Sequence, residues 1–540
     1  MLNPEHIADA ERQQAAAASG PLGPHGVSVH SADVPVDDSL ALATSIYRPR
    51  ADLAVPAVLI RTPYGKEFWR NDGIFWASHG YGLVLQDCRG KASYFEEADD
   101  GEATVKWIQS QDWFNGRLGL QGMSYMGFTA WATASRCRDD VAAISVSYYS
   151  SDRTSAWYPG GSFGLDLALA WSAMQDNGQT ERDPDRDDAI GPPVATLGAY
   201  LHLPLTDADE VQTGKAIPFY RERLTYGADD PHWKPLDFSH ILSEGCPPTL
   251  LFGGWYDYQR RYLWQDYGRL VGAAVQHRLV MGPWMHGGGW VEGNVEALRW
   301  FETHVQQRND GAKPSISFYV TGSDEWREAA GWPNAKATIE RWYLVPHAGL
   351  ALSPHDRSAP TRYIYDPSDP TPSVGLASFD PERAMPCDNR ALEERPDVVC
   401  FTSDALEQPL TFFGTVSATL WVKSSAKSAD FFVRVTDVNP DGASYNVIDT
   451  LRRVERDSRL HDGEEPLKLE IDLGPCAHRF ESGHRLRVQI SSGAFPFYVR
   501  NLGTGEDVGT GTKTTRAEQT LYHDTRHPAY VEACLATAEE

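Results

Sequence analysis

Gly119-Leu120-Gln121-Gly122-Met123-Ser124-Tyr125-Met126-Gly127 decides how this chain is read. Arg117 to Gly122 reads as a short buried strand. Phe128 to Arg136, with Ala130, Trp131 and Ala132, reads as a helix. Between them stands G-x-S-x-G, a serine on a sharp strand-to-helix turn. The small residues at 122 and 127 let strand and helix approach closely. Ser124 is then expected to take a strained backbone conformation that thrusts its hydroxyl outward. Its Oγ would sit at a helix N-terminus, where backbone N–H groups favour negative charge. An acyl-transfer nucleophile needs that setting. An ordinary βα turn would leave the same pattern, so the serine must be judged with its partners.

Outward from this stretch, the chain is long enough for two or three domains, at 540 residues. The formal net charge of −25 argues against nucleic acid and anionic membrane as partners. No apolar run approaches the length of a membrane span. Met1 to Ser19 lacks the basic end, apolar core and cleavage pattern of a signal peptide. Seven cysteines are scattered with no C-x-x-C pair, so neither a disulfide framework nor a zinc site is suggested. A reducing cytoplasm fits, and neither metal nor cofactor is expected.

Ala57-Val58-Leu59-Ile60 is a continuous apolar run, as a strand buried on both faces requires. Gly82 to Gln86 and Val141 to Val146 are similar, and Gly101 to Gln111 can form a helix. Strands alternating with helices predict a parallel sheet covered on both faces. The rhythm breaks after about Ser150, and residues 151–245 read as a helical insertion with an acidic link at 180–188. It resumes with Thr249 to Phe252, a helix over Gln259 to Val271, the strand Arg278 to Met281 and a helix over 293–307. From about Pro314 strict alternation takes over. Leu467, Leu469, Ile471 and Leu473 alternate with Lys468, Glu470 and Asp472, and Phe431, Val433 and Val435 alternate with Phe432, Arg434 and Thr436. Many strands with one wet face predict a separate antiparallel β-sandwich.

Ser124 needs a base, and the base needs an orienting carboxylate. Catalytic groups of an open parallel sheet gather at the carboxyl ends of its strands. Asp257, after Gly253-Gly254-Trp255-Tyr256, and His286, after Gly282-Pro283-Trp284-Met285, each follow a short apolar strand. The order Ser…Asp…His is that of α/β-hydrolases. Taken singly, such an Asp is a turn or cap residue and such a His a polar loop residue. One oxyanion donor is expected from the backbone N–H of Tyr125. The loop Thr62-Pro63-Tyr64-Gly65-Lys66 has no glycine run to offer a second amide. The phenol of Tyr64 could replace it. A turn aromatic packed on the surface is the plain alternative.

Arg61-Thr62-Pro63-Tyr64, Gln86-Asp87-Cys88-Arg89-Gly90, Gly122 to Gly127, Gly254-Trp255-Tyr256-Asp257 and Gly282 to His286 resemble the signature stretches of the cocaine esterase / X-Pro dipeptidyl-peptidase (CocE/NonD) hydrolases. Asp437 to Gly442 and Ser491 to Pro496 resemble that family's β domain. The resemblance implies an α/β fold. It consists of an α/β-hydrolase core (1–150 and 246–313), a helical cap (151–245) and a C-terminal jelly-roll β-sandwich (314–540). It implies Ser124, Asp257 and His286 as the triad, with Tyr64 and Tyr125 as the oxyanion hole. Ala156 to Gly161 and Leu169 to Ala173 are similar to segments lining the acyl pocket of cocaine esterase, which implies Trp157 and Trp171 as substrate contacts. Two residues past the triad Asp, where that esterase has an aromatic pocket residue, Gln259 stands, so a benzoyl-type specificity is not expected.

The expected activity is hydrolysis of a carboxylic ester through an acyl-enzyme. Amide or β-lactam acylase and α-amino acid ester hydrolase are the alternatives. A proline-specific dipeptidyl peptidase fits less well, because the first core strands begin by about residue 40 and leave no room for a domain to hold a free amino terminus. A catalytically idle binding module is the reading from a different class. The partner is a small ester or amide, and a homodimer is left open.

Overall fold

The computed structural model describes residues 26–536 apart from 51–52, 91–93, 177–194, 244, 309–314, 333–336, 376–377, 380–382 and 456. The acidic link at 180–188 and the N-terminal stretch lie outside the described residues. The run Ala57 to Ile60 forms the middle of β3 (Val55–Thr62) and is buried throughout. Its neighbours are β4 (Gly82–Asp87) and β5 (Phe114–Met123), and both pairings are parallel. β6 (Val141–Ser147), β7 (Thr249–Gly254), β8 (His277–Gly282) and β9 (Ile316–Val320) continue the parallel block. Antiparallel strands close both ends. β1 (Val27–Pro35) and β2 (Ala41–Pro49) lie beside β4, and β10 (Glu325–Ala329) lies beside β9. The ten-stranded order is β1-β2-β4-β3-β5-β6-β7-β8-β9-β10. This is a hydrolase-like α/β sheet with mixed edges.

Helices α1 (Arg70–Ser78), α2 (Glu97–Gln109) and α3 (Tyr125–Cys137) cover the first part of the sheet. Between β6 and β7 the chain leaves the sheet and forms short helices. They include α4 (Leu165–Asp176) and α5 (Pro218–Thr225), as the broken rhythm predicts. On return it forms α6 (Arg260–Gly272) and α7 (Trp290–His304). Element ends shift by a few residues from the sequence reading, and α1 was not expected at all. Its Asn71, Asp72 and Gly73 dilute the helical signal. The helix stands because Phe75, Trp76 and Ala77 are buried against the sheet.

The sheets divide later than the boundary expected at residue 314. Ile316, Phe318 and Val320 alternate, yet β9 and β10 extend the first sheet. Alternation marks a strand with unequal faces and cannot say which sheet it joins. From Thr338 to Leu535 a second, eleven-stranded and mostly antiparallel sheet forms a β-rich unit. Strand Leu467–Phe480 begins with the expected wet face. Strand Ala429–Val438 departs from expectation, because every residue in it is buried. Its polar side is covered and its charges are matched. Arg453 pairs with Asp430 at 2.8 Å, and Arg434 donates from Nε to Asp449 at 2.8 Å. The two units share one core. Phe318 of β9 stacks on Phe413 at 5.0 Å, and the Thr321 amide donates to Ala477 at 3.1 Å.

One buried polar chain ties α1 to the serine strand. Trp76 Nε1 donates to Gln121, Gln121 Nε2 to Asn294 and Asn294 Nδ2 to Asp72, each at 2.8 Å. Burial pushes the Asp72 carboxyl up from 3.8 to about 7, with its hydrogen bonds opposing. A carboxyl raised in the folded state lends stability that is present below its unfolded value and lost as pH rises through about 7. Asp72→Asn keeps an acceptor for Asn294 and removes the ionisation. The melting temperature of the variant minus that of the wild type should therefore grow between about pH 5 and about pH 8. A difference that stays constant across that range would contradict a buried carboxyl titrating there.

Candidate active site

Ser124 lies between β5 and α3 with φ 55° and ψ −126°. The left-handed φ is rare for a residue with a Cβ, and it points the side chain out of the turn. Neighbouring small residues make this possible. A Cβ at Gly122 would lie 1.9 Å from the Met126 carbonyl oxygen, so no larger residue fits there. The amide of Ser124 donates to Ser147 at 2.9 Å, and its carbonyl accepts from Gly127 at 2.8 Å. The strained turn is thus held from both sides.

The loops after β7 and β8 are brought together by backbone contacts. The Trp255 amide donates to Gly282 at 2.9 Å and the Tyr256 amide to Trp284 at 3.0 Å. A Cβ at Gly254 would meet the Trp284 carbonyl at 2.0 Å, so the approach needs glycine. The carboxylate of Asp257, 1 % exposed, accepts from the Gln259 amide on one oxygen. Its other oxygen lies 2.8 Å from His286 Nδ1. A carboxylate only accepts, so Nδ1 carries the hydrogen and Nε2 is left as an acceptor. Nε2 lies 2.9 Å from Ser124 Oγ. Ser124, His286 and Asp257 thus form a continuous hydrogen-bonded relay. Ser124 and His286 are partly exposed, while Asp257 is sealed off.

Tyr64, two residues past β3, reaches the same place. Burial raises its phenol above the usual value, and hydrogen bonds with Ser124 and Trp171 oppose the rise. The hydroxyl is therefore protonated at neutral pH and available as a donor. Tyr125 is the first residue of α3, so its amide has no partner four residues back in the helix. Its ring is fixed by a hydroxyl donating to Glu97 at 3.1 Å, and it stacks on Trp171 at 6.2 Å and 10°.

Trp157 and Trp171 are both buried and lie edge to face at 5.8 Å. Trp171 touches the Tyr64 and Tyr125 pair directly, and Trp157 is one ring further away. Gln259 is 3 % exposed, and its Oε1 has no hydrogen-bond partner among the described residues. Its backbone amide serves Asp257.

Sequence reasoning missed three contributors. Tyr258 places its hydroxyl 3.3 Å from His286 Nε2, and its ring lies 4.6 Å from the imidazole. Its position next to Asp257 was the only available signal. Phe379 comes from the β-rich unit and lies 6.1 Å from Tyr258 and 6.5 Å from His286. No local pattern marks it. Arg153 lies buried 4.8 Å from the Tyr125 ring, and nothing around it in sequence sets it apart. Among the described residues no cluster of side chains could hold a metal ion, and no helix is long and apolar enough to cross a membrane.

Comparison with known proteins shows what this chain is similar to. A family profile described as X-Pro dipeptidyl-peptidase (S15 family) matches residues 38–288. The profile of the X-Pro dipeptidyl-peptidase C-terminal non-catalytic domain matches residues 303–532. The chain is 29% identical to a cocaine esterase from Rhodococcus sp., over 92% of this chain and 96% of that protein. It is 24% identical to a putative serine esterase from Mycobacterium bovis, over 86% and 90% of the two chains. Among solved structures, an aminopeptidase from a marine sediment Thaumarchaeota archaeon superposes with a TM-score of 0.81 at 22% identity, covering 95% of this chain and 97% of that one. An α-amino acid ester hydrolase superposes with a TM-score of 0.80 at 21% identity, with the same coverage. At such identities the superpositions speak for the fold alone. Two adjoining profiles of one family, matched in order along most of the chain, carry the assignment: this chain belongs to the cocaine esterase / X-Pro dipeptidyl-peptidase (CocE/NonD) family of serine hydrolases.

Proposed function

We propose that this protein hydrolyses carboxylic esters through an acyl-enzyme. Ser124 is the nucleophile, His286 the base and then the acid, and Asp257 the group that orients the imidazole. The carrying observation is the relay from Ser124 Oγ to His286 Nε2 at 2.9 Å and from Nδ1 to Asp257 at 2.8 Å. In the first half-reaction Oγ bonds to the carbonyl carbon as its proton moves to Nε2. The carbonyl oxygen becomes an anion that accepts from the Tyr64 hydroxyl and the Tyr125 amide. When the tetrahedral centre collapses, the bond to the leaving alkoxide breaks and Nε2 returns the proton to it. Water repeats the sequence on the acyl-enzyme and frees the acid and Ser124.

In this reading the helices between β6 and β7 form a cap that lends Trp157 and Trp171 to the pocket. The second sheet is a jelly-roll that supplies Phe379 as a wall. Gln259 contributes to the site through its amide on Asp257. The free cysteines suit a reducing compartment such as the cytoplasm. The substrate class is supported by the cocaine esterase and serine esterase relatives.

A panel of chromogenic acyl esters set against matching anilides and aminoacyl-prolyl anilides tests the assignment, with covalent labelling by a fluorophosphonate alongside. Turnover of esters with labelling at Ser124 is expected. Labelling with anilide turnover only would make the protein an amide acylase, and failure to label would make it a binding module.

A further inference from the structure

Two guanidinium groups lie buried beside the site, and among the described residues neither makes a salt bridge. Arg153, in the loop after β6, is 3 % exposed. Its Nη1 donates to the Tyr149 hydroxyl at 3.2 Å, and its Nη2 is buried with no hydrogen-bond partner among the described residues. Aromatic faces surround it. Tyr94 and Phe128 lie at 4.6 Å, Tyr125 at 4.8 Å and Trp171 at 6.0 Å. Arg223 of α5 is 2 % exposed and lies 3.9 Å from the Trp157 ring and 5.3 Å from Trp171. Its Nη1 donates to Ser172 at 3.1 Å and to Phe219 at 3.0 Å, and its Nη2 also has no hydrogen-bond partner among the described residues. Burial lowers its guanidinium to about 10, so it remains a cation at neutral pH. The nearby Glu222 is engaged elsewhere, accepting from the Tyr94 hydroxyl and lying 2.7 Å from His232 Nε2.

A buried cation without a counter-charge is costly, and aromatic faces offset only part of that cost. Such an arrangement suits a site whose missing partner arrives with the substrate. Position says which part of the substrate this is. The rings around His286, where the leaving group takes up its proton, are Tyr148, Tyr258 and Phe379. Those around Arg153 are Tyr94, Tyr125, Phe128 and Trp171, and no ring belongs to both sets. Arg153 thus borders the Tyr125 and Trp171 rings beside Tyr64 and shares no ring with His286; in the proposed mechanism that is the acyl side.

We propose that Arg153, backed by Arg223, is a specificity determinant for acyl groups that end in a carboxylate, so that the preferred substrates are half-esters of dicarboxylic acids. The inference rests on Ser124 being the acyl-transfer nucleophile. An acyl group bearing a protonated amine would face two cations and is disfavoured, which sets this site apart from one built for aminoacyl substrates. A carboxylate meeting the Nη2 of Arg153 would gain a charge-assisted bond in a dry setting.

The test uses 4-nitrophenyl esters of three acyl series, matched in length and ending in methyl, carboxylate or ammonium. Chains of four to six carbons cover the reach. At the best length, kcat/KM for the carboxylate should exceed that for methyl by about 10- to 100-fold, as expected for one hydrogen bond to a charged group. The ammonium series should be slowest. Arg153→Met should bring the carboxylate-to-methyl ratio close to one, mostly through KM, and Arg153→Lys should restore part of it. A wild-type preference for methyl at every length, or an unchanged ratio in Arg153→Met, would overturn the proposal. Should Arg153→Met not fold, calorimetry with wild-type protein decides: free glutaramate, which carries one carboxylate and one amide, binding more tightly than neutral pentanamide supports the site, and equal binding refutes it. Calorimetry also decides if no ester is turned over. Absence of turnover together with absence of fluorophosphonate labelling is failure of the hydrolase reading. Labelled, active enzyme without carboxylate preference is failure of this inference alone.

Discussion

Ser124→Ala is expected to abolish ester turnover, lowering kcat by ~10⁴ or more while the protein stays folded. In the proposed mechanism the hydroxyl is the only atom of the relay that bonds to the substrate carbon, so without it His286 would have nothing to activate. What remains is binding and the oxyanion donors, which alone give a small residual rate. Folding should survive because removing Oγ leaves the backbone bonds of the turn in place, from the Ser124 amide to Ser147 and from Gly127 to the Ser124 carbonyl. The strained φ of 55° is borne by alanine much as by serine. Circular dichroism and a melting curve close to wild type, with turnover at background, is the expected result. A variant that keeps near-normal activity would show that the relay is not the catalytic device.

Tyr64→Phe should lower kcat by about 10²–10³ with far less change in KM. The substitution keeps the ring and deletes only the hydroxyl that meets Ser124 and Trp171. A donor aimed at the oxyanion is worth most when charge develops, so the loss belongs to the transition state and not to the bound substrate. In the proposed mechanism the Tyr125 amide remains as the second donor, so the loss should stay smaller than that of the nucleophile. Steady-state kinetics on one good ester separates the two parameters. A raised KM with unchanged kcat would make Tyr64 a wall of the pocket. The serine's second donor would then be another group, and Tyr258, already within 3.3 Å of His286 Nε2, is the next hydroxyl to remove.

Sequence by itself determined the parallel sheet and the three residues of the relay. Each relay residue follows a short strand buried on both faces, and such strands are legible as unbroken apolar runs. Once the strands are parallel, their carboxyl ends share one edge, so Ser124, Asp257 and His286 must approach one another. The glycines at 122 and 254 were visible too, but what they admit, the Met126 and Trp284 carbonyls, was not.

Tertiary structure alone decided what surrounds the serine. Arg153 follows one strand, Trp171 and Arg223 stand on helices between β6 and β7, Tyr258 sits in the turn before α6, and Phe379 arrives from the far side of the chain. No periodicity records such meetings, because they are set by how helices and a second sheet pack against loops. The same holds for β9 and β10, whose alternation suits either sheet, and for the wholly buried strand Ala429–Val438. Local pattern reports which faces of an element are apolar. Which neighbour covers them, and which buried charge is left for a substrate to meet, depends on contacts between residues far apart in the chain.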